Sequence, residues 1–234
     1  MVSDIAHELH SPLNNIRVWL EAAEDGVAES DDEFTTSLLE EALQLQHLID
    51  DLQGFAAADA GVLRLHREDV FVRDLLHQVA TAHSAAADAA GVILTVRTDD
   101  DPKLYADPVR IRQMIGNLVS NAVRHTAARG SVELRAVGAE SGVTIEVRDT
   151  GHGIEPEELP YVFDRFWRAE KSRSRSTGGS GLGLAIVRQL THAHDGTVTV
   201  HSTPGAGMVF GVRLPVVRAD GQRSRLTRTP LRPR

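Results

Sequence analysis

Apolar residues at Ile5, Leu9, Leu13, Ile16, Leu20, Ala23 and Val27 recur at gaps of four and three. A strand cannot use that spacing; it draws one stripe along an amphipathic helix. The helix is predicted to run from near Val2 to about Asp25 and to stop at Gly26. Ser30-Asp31-Asp32-Glu33 then has the capping-box form, with Ser30 as the cap and Glu33 three residues on. A second helix follows on Phe34, Leu38, Ala42, Leu45, Ile49, Leu52 and Phe55. Two such helices joined by about five residues make an antiparallel hairpin. One hairpin leaves each stripe half covered. Two copies close a four-helix bundle, so a homodimer is expected; the alternative is that the stripe packs on the rest of the chain.

At about 100° per residue His7 lies roughly 200° round from Ile5, so its imidazole is expected to face water. Glu8 is its neighbour. Pro12 has no N–H to give the Glu8 carbonyl, and a kink is expected there. A water-facing histidine beside a carboxylate fits a nucleophile, and fits equally a surface histidine of no role.

A net charge of −8 argues against a nucleic-acid partner. The absence of cysteine excludes disulfides, thiolate metal sites and cysteine nucleophiles. No apolar run approaches the 18 residues or so of a membrane span. The chain is therefore expected to be soluble and cytoplasmic. It opens almost inside its first helix, so it is expected to be a fragment, with any membrane attachment carried by an absent upstream segment.

Beyond Gly54–Gly61, rich in small residues and expected to be a hinge, the texture changes to alternating short strands and helices. Strands are predicted at Val62–His66, Val92–Arg97 and Leu104–Ala106, and a helix at Val72–Ala90. Asp107-Pro108 reads as a helix start, with Ile111, Met114, Ile115, Leu118, Val119 and Val123 turned inward. Val132–Val137 and Val143–Arg148 form a hairpin around Gly138–Gly142. A helix at Leu182–His194 and a hairpin of Val198–Ser202 with Met208–Leu214 close the pattern. The sum is a mixed sheet with helices on one face. Three units are expected: a helical hairpin over 1–60, a second domain over 61–216 and a disordered basic tail over 217–234, which holds six arginines and one aspartate.

Three motifs in the second unit suggest chemistry. Asn117 and Asn121, four apart, share a helix face, and carboxamide oxygens suit Mg²⁺. Asp149-Thr150-Gly151-His152-Gly153 leaves a strand; its glycines admit a flat ligand and Asp149 accepts from an exocyclic amine, though a tight turn has the same form. Gly178-Gly179-Ser180-Gly181-Leu182-Gly183 precedes a helix, whose free N–H groups can cradle phosphate. It has no Walker lysine, and each motif alone is ambiguous.

Their order and spacing are not. His7-Glu8-Leu9-x-x-Pro12-Leu13 resembles the phospho-acceptor box of the sensor histidine kinases of bacterial two-component signalling. Asp107-x-x-Arg110-x-x-Gln113-x-x-x-Asn117-Leu118-x-x-Asn121-Ala122-x-Arg124-His125-Thr126 resembles their asparagine box. Asp149-x-Gly151-x-Gly153-Ile154, Phe163-Asp164-Arg165-Phe166 and Gly178-Gly179-x-Gly181-Leu182-Gly183-Leu184 resemble their first glycine, phenylalanine and second glycine boxes. The likeness covers roughly residues 2–215. It implies an α+β chain, a dimeric four-helix bundle followed by an α/β sandwich of the GHKL ATPase type. It implies ATP and Mg²⁺ as cofactors and a response regulator receiver domain as partner.

By the same resemblance His7 takes the phosphoryl group on one ring nitrogen, with Glu8 on the other as base. Asn121 is the principal Mg²⁺ ligand with Asn117 beside it, and Arg124 and His125 line the phosphates. Asp149 with Gly151 and Gly153 reads adenine, while Gly178, Gly179, Ser180, Gly181, Leu182 and Gly183 wrap the triphosphate. Ala169–Thr177 is a lid, with Phe163 and Phe166 packing its base. Ser11 stands where the family has Thr or Asn for dephosphorylating its partner, and His10 where it has Arg or Lys. Two other readings share the nucleotide-binding fold or its outline: an ATPase or protein-serine kinase, which would not need His7-Glu8, and a non-catalytic interaction module.

Overall fold

The computed structural model describes residues 2–27, 31, 34–39, 41–42, 45–46, 49, 64–98, 101–167 and 181–215. Helix α1 spans Val2–Glu24 with Pro12 inside it. Its stop is a Schellman turn: the Gly26 N–H donates to the Ala23 carbonyl at 3.1 Å and the Val27 N–H to Ala22 at 2.9 Å. The second helix, α2, is helical at 34–39, 41–42, 45–46 and 49. Its cap is Asp31, whose carboxylate accepts from the Phe34 N–H at 2.8 Å; Ser30 and Glu33 of the expected capping box lie outside the described residues. Asp caps as well as Ser does, and the one-residue shift puts Phe34 in the first turn, where it is buried. The antiparallel hairpin forms. Trp19 meets Phe34 edge to face at 6.1 Å, and Asn15 donates to Glu41 at 2.8 Å. Leu13 is 54% and Leu20 50% exposed, so half of the α1 stripe is bare in one copy. The expected hinge lies outside the described residues.

The first strand, β1, is Glu68–Phe71, later than the predicted Val62–His66; of that span, 64–66 carry no strand. Val70 is the residue of β1 that turns inward, and β1 pairs antiparallel with β3, Lys103–Ala106, placing Val70 against Leu104. Val62, Leu63 and Leu65 suggested a strand, but pairing with β3 sets the strand five to six residues further on. Helix α3 (Val72–Ala89) and strand β2 (Ile93–Thr98) follow as expected. Helix α4 (Pro108–His125) is capped by Asp107, whose Oδ1 accepts from Val109 and Arg110 at 3.0 and 3.2 Å. Strands β4 (Ser131–Ala139) and β5 (Gly142–Asp149) form a hairpin. A 3₁₀ turn at Leu159–Tyr161, helix α5 (Gly183–Ala193) and strands β6 (Thr197–Thr203) and β7 (Gly207–Pro215) complete the order.

The large sheet runs β2-β4-β5-β7-β6. Only β2 and β4 are parallel, joined by a crossover through α4; β4–β5 and β6–β7 are hairpins, and β7 pairs antiparallel with β5 after the chain has passed through α5 and β6. Alternate residues of the sheet turn to one face. Leu134, Ile145, Val147, Phe210 and Val212 pack there with Leu76 of α3, Ile115 and Leu118 of α4 and Ile186 and Leu190 of α5. Arg135, Arg148 and Arg213 lie exposed on the strands between them. Helices thus cover one face, as the alternation predicts. No helix among the described residues is long and apolar enough to cross a membrane.

Candidate functional site

Asp149 ends β5, between Val132 of β4 and Met208 of β7. It is 2% exposed. Its Oδ1 accepts from the Gly151 N–H at 2.8 Å and the Met208 N–H at 3.3 Å. Among the described residues its Oδ2 is the one buried side-chain polar atom with no hydrogen-bond partner. Burial raises the Asp149 carboxyl above its ordinary value, opposed by the bonds from Gly151 and Met208 and by the charge of nearby His152. A carboxylate oxygen left bare in the interior is costly unless a donor arrives from outside the chain.

The glycines around it are there for space. A Cβ on Gly151 would run into the His125 carbonyl, and one on Gly207 into the Asp149 carbonyl. Gly207 and Met208 complete the setting of Asp149, yet the Thr203–Gly207 stretch read as a plain hairpin turn in the sequence. The signal was its second glycine, which a two-residue turn at Pro204-Gly205 does not need.

Helix α4 runs past this carboxylate and presents the asparagines. Asn117 is half-buried and its Nδ2 donates to the Gly183 carbonyl at 3.3 Å, so the asparagine box and the start of α5 meet directly. With the amide nitrogen engaged, Oδ1 is the end left to act as acceptor. Asn121, one turn on, is half-buried, and Arg124 is exposed on the last turn. His125 Nδ1 lies 3.2 Å from His152 Nε2, with the rings edge to face at 5.2 Å. With the Gly153 carbonyl 2.6 Å from His152 Nδ1, the neutral form of His152 accepts from His125 through Nε2. The asparagine and first glycine boxes are thereby joined.

Gly181 has φ +66°, and its carbonyl accepts from the Phe166 N–H at 3.0 Å; a Cβ there would sit 2.7 Å from the Phe166 Cα. Phe163 packs edge to face on the core residue Phe210 at 6.1 Å. The phenylalanine and second glycine boxes therefore meet on either side of residues 168–180. Leu182 is buried beneath the start of α5. Ala169–Thr177, Gly178, Gly179 and Ser180 lie outside the described residues. So do the side chains of His7, Glu8 and Ser11, whose backbone is helical within α1.

Among the described residues no three His, Asp or Glu side chains converge on a metal position. The donors at hand are neutral carboxamides, which suit a hard cation that keeps phosphate and water oxygens. A buried carboxylate, an asparagine-bearing helix and a glycine at a helix start are thus brought together in an α/β unit that follows a helical hairpin.

Comparison with known proteins agrees. Residues 106–218 match the family described as histidine kinase-, DNA gyrase B- and HSP90-like ATPase, and residues 1–61 match the His Kinase A (phospho-acceptor) domain. The signal transduction histidine-protein kinase BaeS of Escherichia coli (strain K12) is 34% identical over 93% of this chain and 46% of its own length. The structure of the Acinetobacter baumannii histidine kinase AdeS superposes with a TM-score of 0.75 at 25% identity, over 91% of this chain and 98% of that one. Full-length ShkA in complex with AMPPNP gives a TM-score of 0.69 at 29% identity, over 93% of this chain and 46% of that one. The chain belongs to the sensor histidine kinases of two-component systems. It has their α+β GHKL-type fold and spans about half the length of the curated relatives it matches.

Proposed function

We propose that this chain is a kinase core that phosphorylates His7 from ATP and passes the phosphoryl group to an aspartate of a response regulator receiver domain. The observation that carries the reading is the bare Oδ2 of Asp149. It is an acceptor fixed by two backbone donors, and the exocyclic amine of adenine is the donor it lacks. Asn117 and Asn121 then face the triphosphate, with Asn121 the principal ligand of Mg²⁺. Mg²⁺ held there would supply positive charge to neutralise the phosphates.

The chemistry balances on His7. An imidazole nitrogen attacks the γ-phosphorus, the P–N bond forms as the bond to the β–γ bridging oxygen breaks, and ADP leaves with the electron pair. The other ring nitrogen gives its proton to Glu8. A receiver carboxylate later attacks the same phosphorus and the imidazole departs. Residues 1–60 supply the acceptor on a homodimeric bundle and 61–216 the nucleotide site. Attachment of the parent protein to a membrane would come from a segment outside this chain. A bound AMPPNP in ShkA and the two matched families support the nucleotide reading.

Incubation with γ-labelled ATP is expected to give a label lost in acid and kept in base. Inosine triphosphate, which offers an oxygen where adenine offers an amine, is expected to bind about tenfold or more weakly, the cost of facing acceptor to acceptor. Equal binding of the two nucleotides would remove the role given to Asp149.

A further inference from the structure

Away from the nucleotide, one buried junction ties four parts of the chain together. Asp107 is 4% exposed and caps α4 with Oδ1, while its Oδ2 accepts from the His66 N–H at 3.0 Å. Its own N–H donates to His194 Nε2 at 3.2 Å, and His194 Nδ1 lies 2.8 Å from the Leu190 carbonyl. These two contacts fix one neutral tautomer: Nδ1 carries the proton and Nε2 accepts. Beside them, Arg67 donates one terminal nitrogen to the Ala193 carbonyl at 3.1 Å and to the Asp195 carboxylate at 3.3 Å. His66 and Arg67 precede β1, at the point where the chain enters the nucleotide-binding unit from the helical hairpin.

Asp195 holds the left-handed position at the end of α5, with φ +58°. The Asp195 N–H donates to His192 and the Gly196 N–H to Thr191, both at 2.9 Å, so the turn is again a Schellman stop. Glycine is the usual residue at that position, and aspartate is one of the few others that adopt it. Gly196 stands one place too late to fill it. An aspartate stands there in place of glycine, and its side chain reaches Arg67 at 3.3 Å.

We propose that Arg67 is a positioning residue for phosphoryl transfer: it pins the segment leaving the hairpin to the end of α5 and, through Asp107 and His194, to the start of α4. The helix that carries Asn117 and Asn121 is thereby held in a set orientation to residues 66–67, on the side of the unit where the chain arrives from the hairpin that carries His7. This rests on the proposed kinase reading. Arg67 has no part in holding nucleotide, so its loss separates turnover from binding.

The test uses the full chain with parent, Arg67→Ala, Arg67→Lys and Asp195→Gly side by side. The readings are rate of acid-labile labelling at saturating ATP, ATP dissociation constant and melting temperature. In Arg67→Ala the labelling rate is expected to fall about tenfold or more, as misplacement of reacting groups by an ångström does, with ATP affinity unchanged. Arg67→Lys keeps a donor at that place and restores part of the rate. Asp195→Gly loses a half-exposed ion pair and puts the usual residue in the left-handed turn, so its melting temperature holds while its rate falls. Unchanged rates in Arg67→Ala and Asp195→Gly, or a fall in ATP affinity in step with rate, would overturn the inference. A parent chain that takes no acid-labile label would overturn the kinase reading itself.

Discussion

Asp149 and His194 are buried titratable groups held for opposite ends. Asp149 is raised by burial, so keeping it ionised costs the fold stability, and that cost is present once pH rises through its folded value. Asp149→Asn keeps an oxygen for the Gly151 and Met208 N–H groups and removes the charge. We expect a melting temperature equal to or above that of the parent, with ATP affinity lower by about 1–3 kcal/mol because an amide nitrogen then faces the adenine amine. Thermal unfolding and nucleotide titration on the same preparation check both halves. His194 is lowered by burial and by Arg67, against the Leu190 carbonyl, Asp107 and Asp195, which raise it. The unfolded chain therefore binds a proton that the folded chain does not. The contribution of His194 is complete above the ordinary value of 6.5 and is lost as pH falls through the lowered folded value. His194→Gln, which keeps a donor and an acceptor but does not titrate, is expected to flatten the acid side of the melting temperature against pH.

Among the elements, α4 was legible almost residue by residue, because Asp107, Pro108 and six inward apolar positions all say the same thing. The shift of β1 to Glu68–Phe71 was not. A strand of four residues with one buried side chain carries too little alternation to fix its own register, and β3 supplies it. The Asp31 cap was hidden by a run of three good caps, Ser30, Asp31 and Asp32. Of the site, Asp149 and the asparagines were readable from type and spacing, whereas Gly207 was not, since its role is to clear space for a carbonyl far away in sequence. With φ +93° and no room for a Cβ, Gly207→Ala is expected to cost at least about 1–2 kcal/mol in urea unfolding and to weaken ATP binding with it.

At the scale of the molecule, the hairpin leaves Leu13 and Leu20 of α1 and Leu39 and Ile49 of α2 bare. A second copy laying the same stripe on them would close the bundle. Leu13→Asp with Leu20→Asp is expected to give a monomer by sedimentation while ATP binding survives. The proposed division of labour puts the nucleotide site and the phosphate acceptor in separate units of one chain. Its most direct test compares the parent with His7→Ala, measuring ATP affinity and acid-labile label from γ-labelled ATP in each. The His7→Ala chain is expected to bind ATP within about twofold of the parent, well under the 1.4 kcal/mol of a tenfold change, and to take no label. Label retained on the His7→Ala chain, or ATP affinity lost with the histidine, would contradict it.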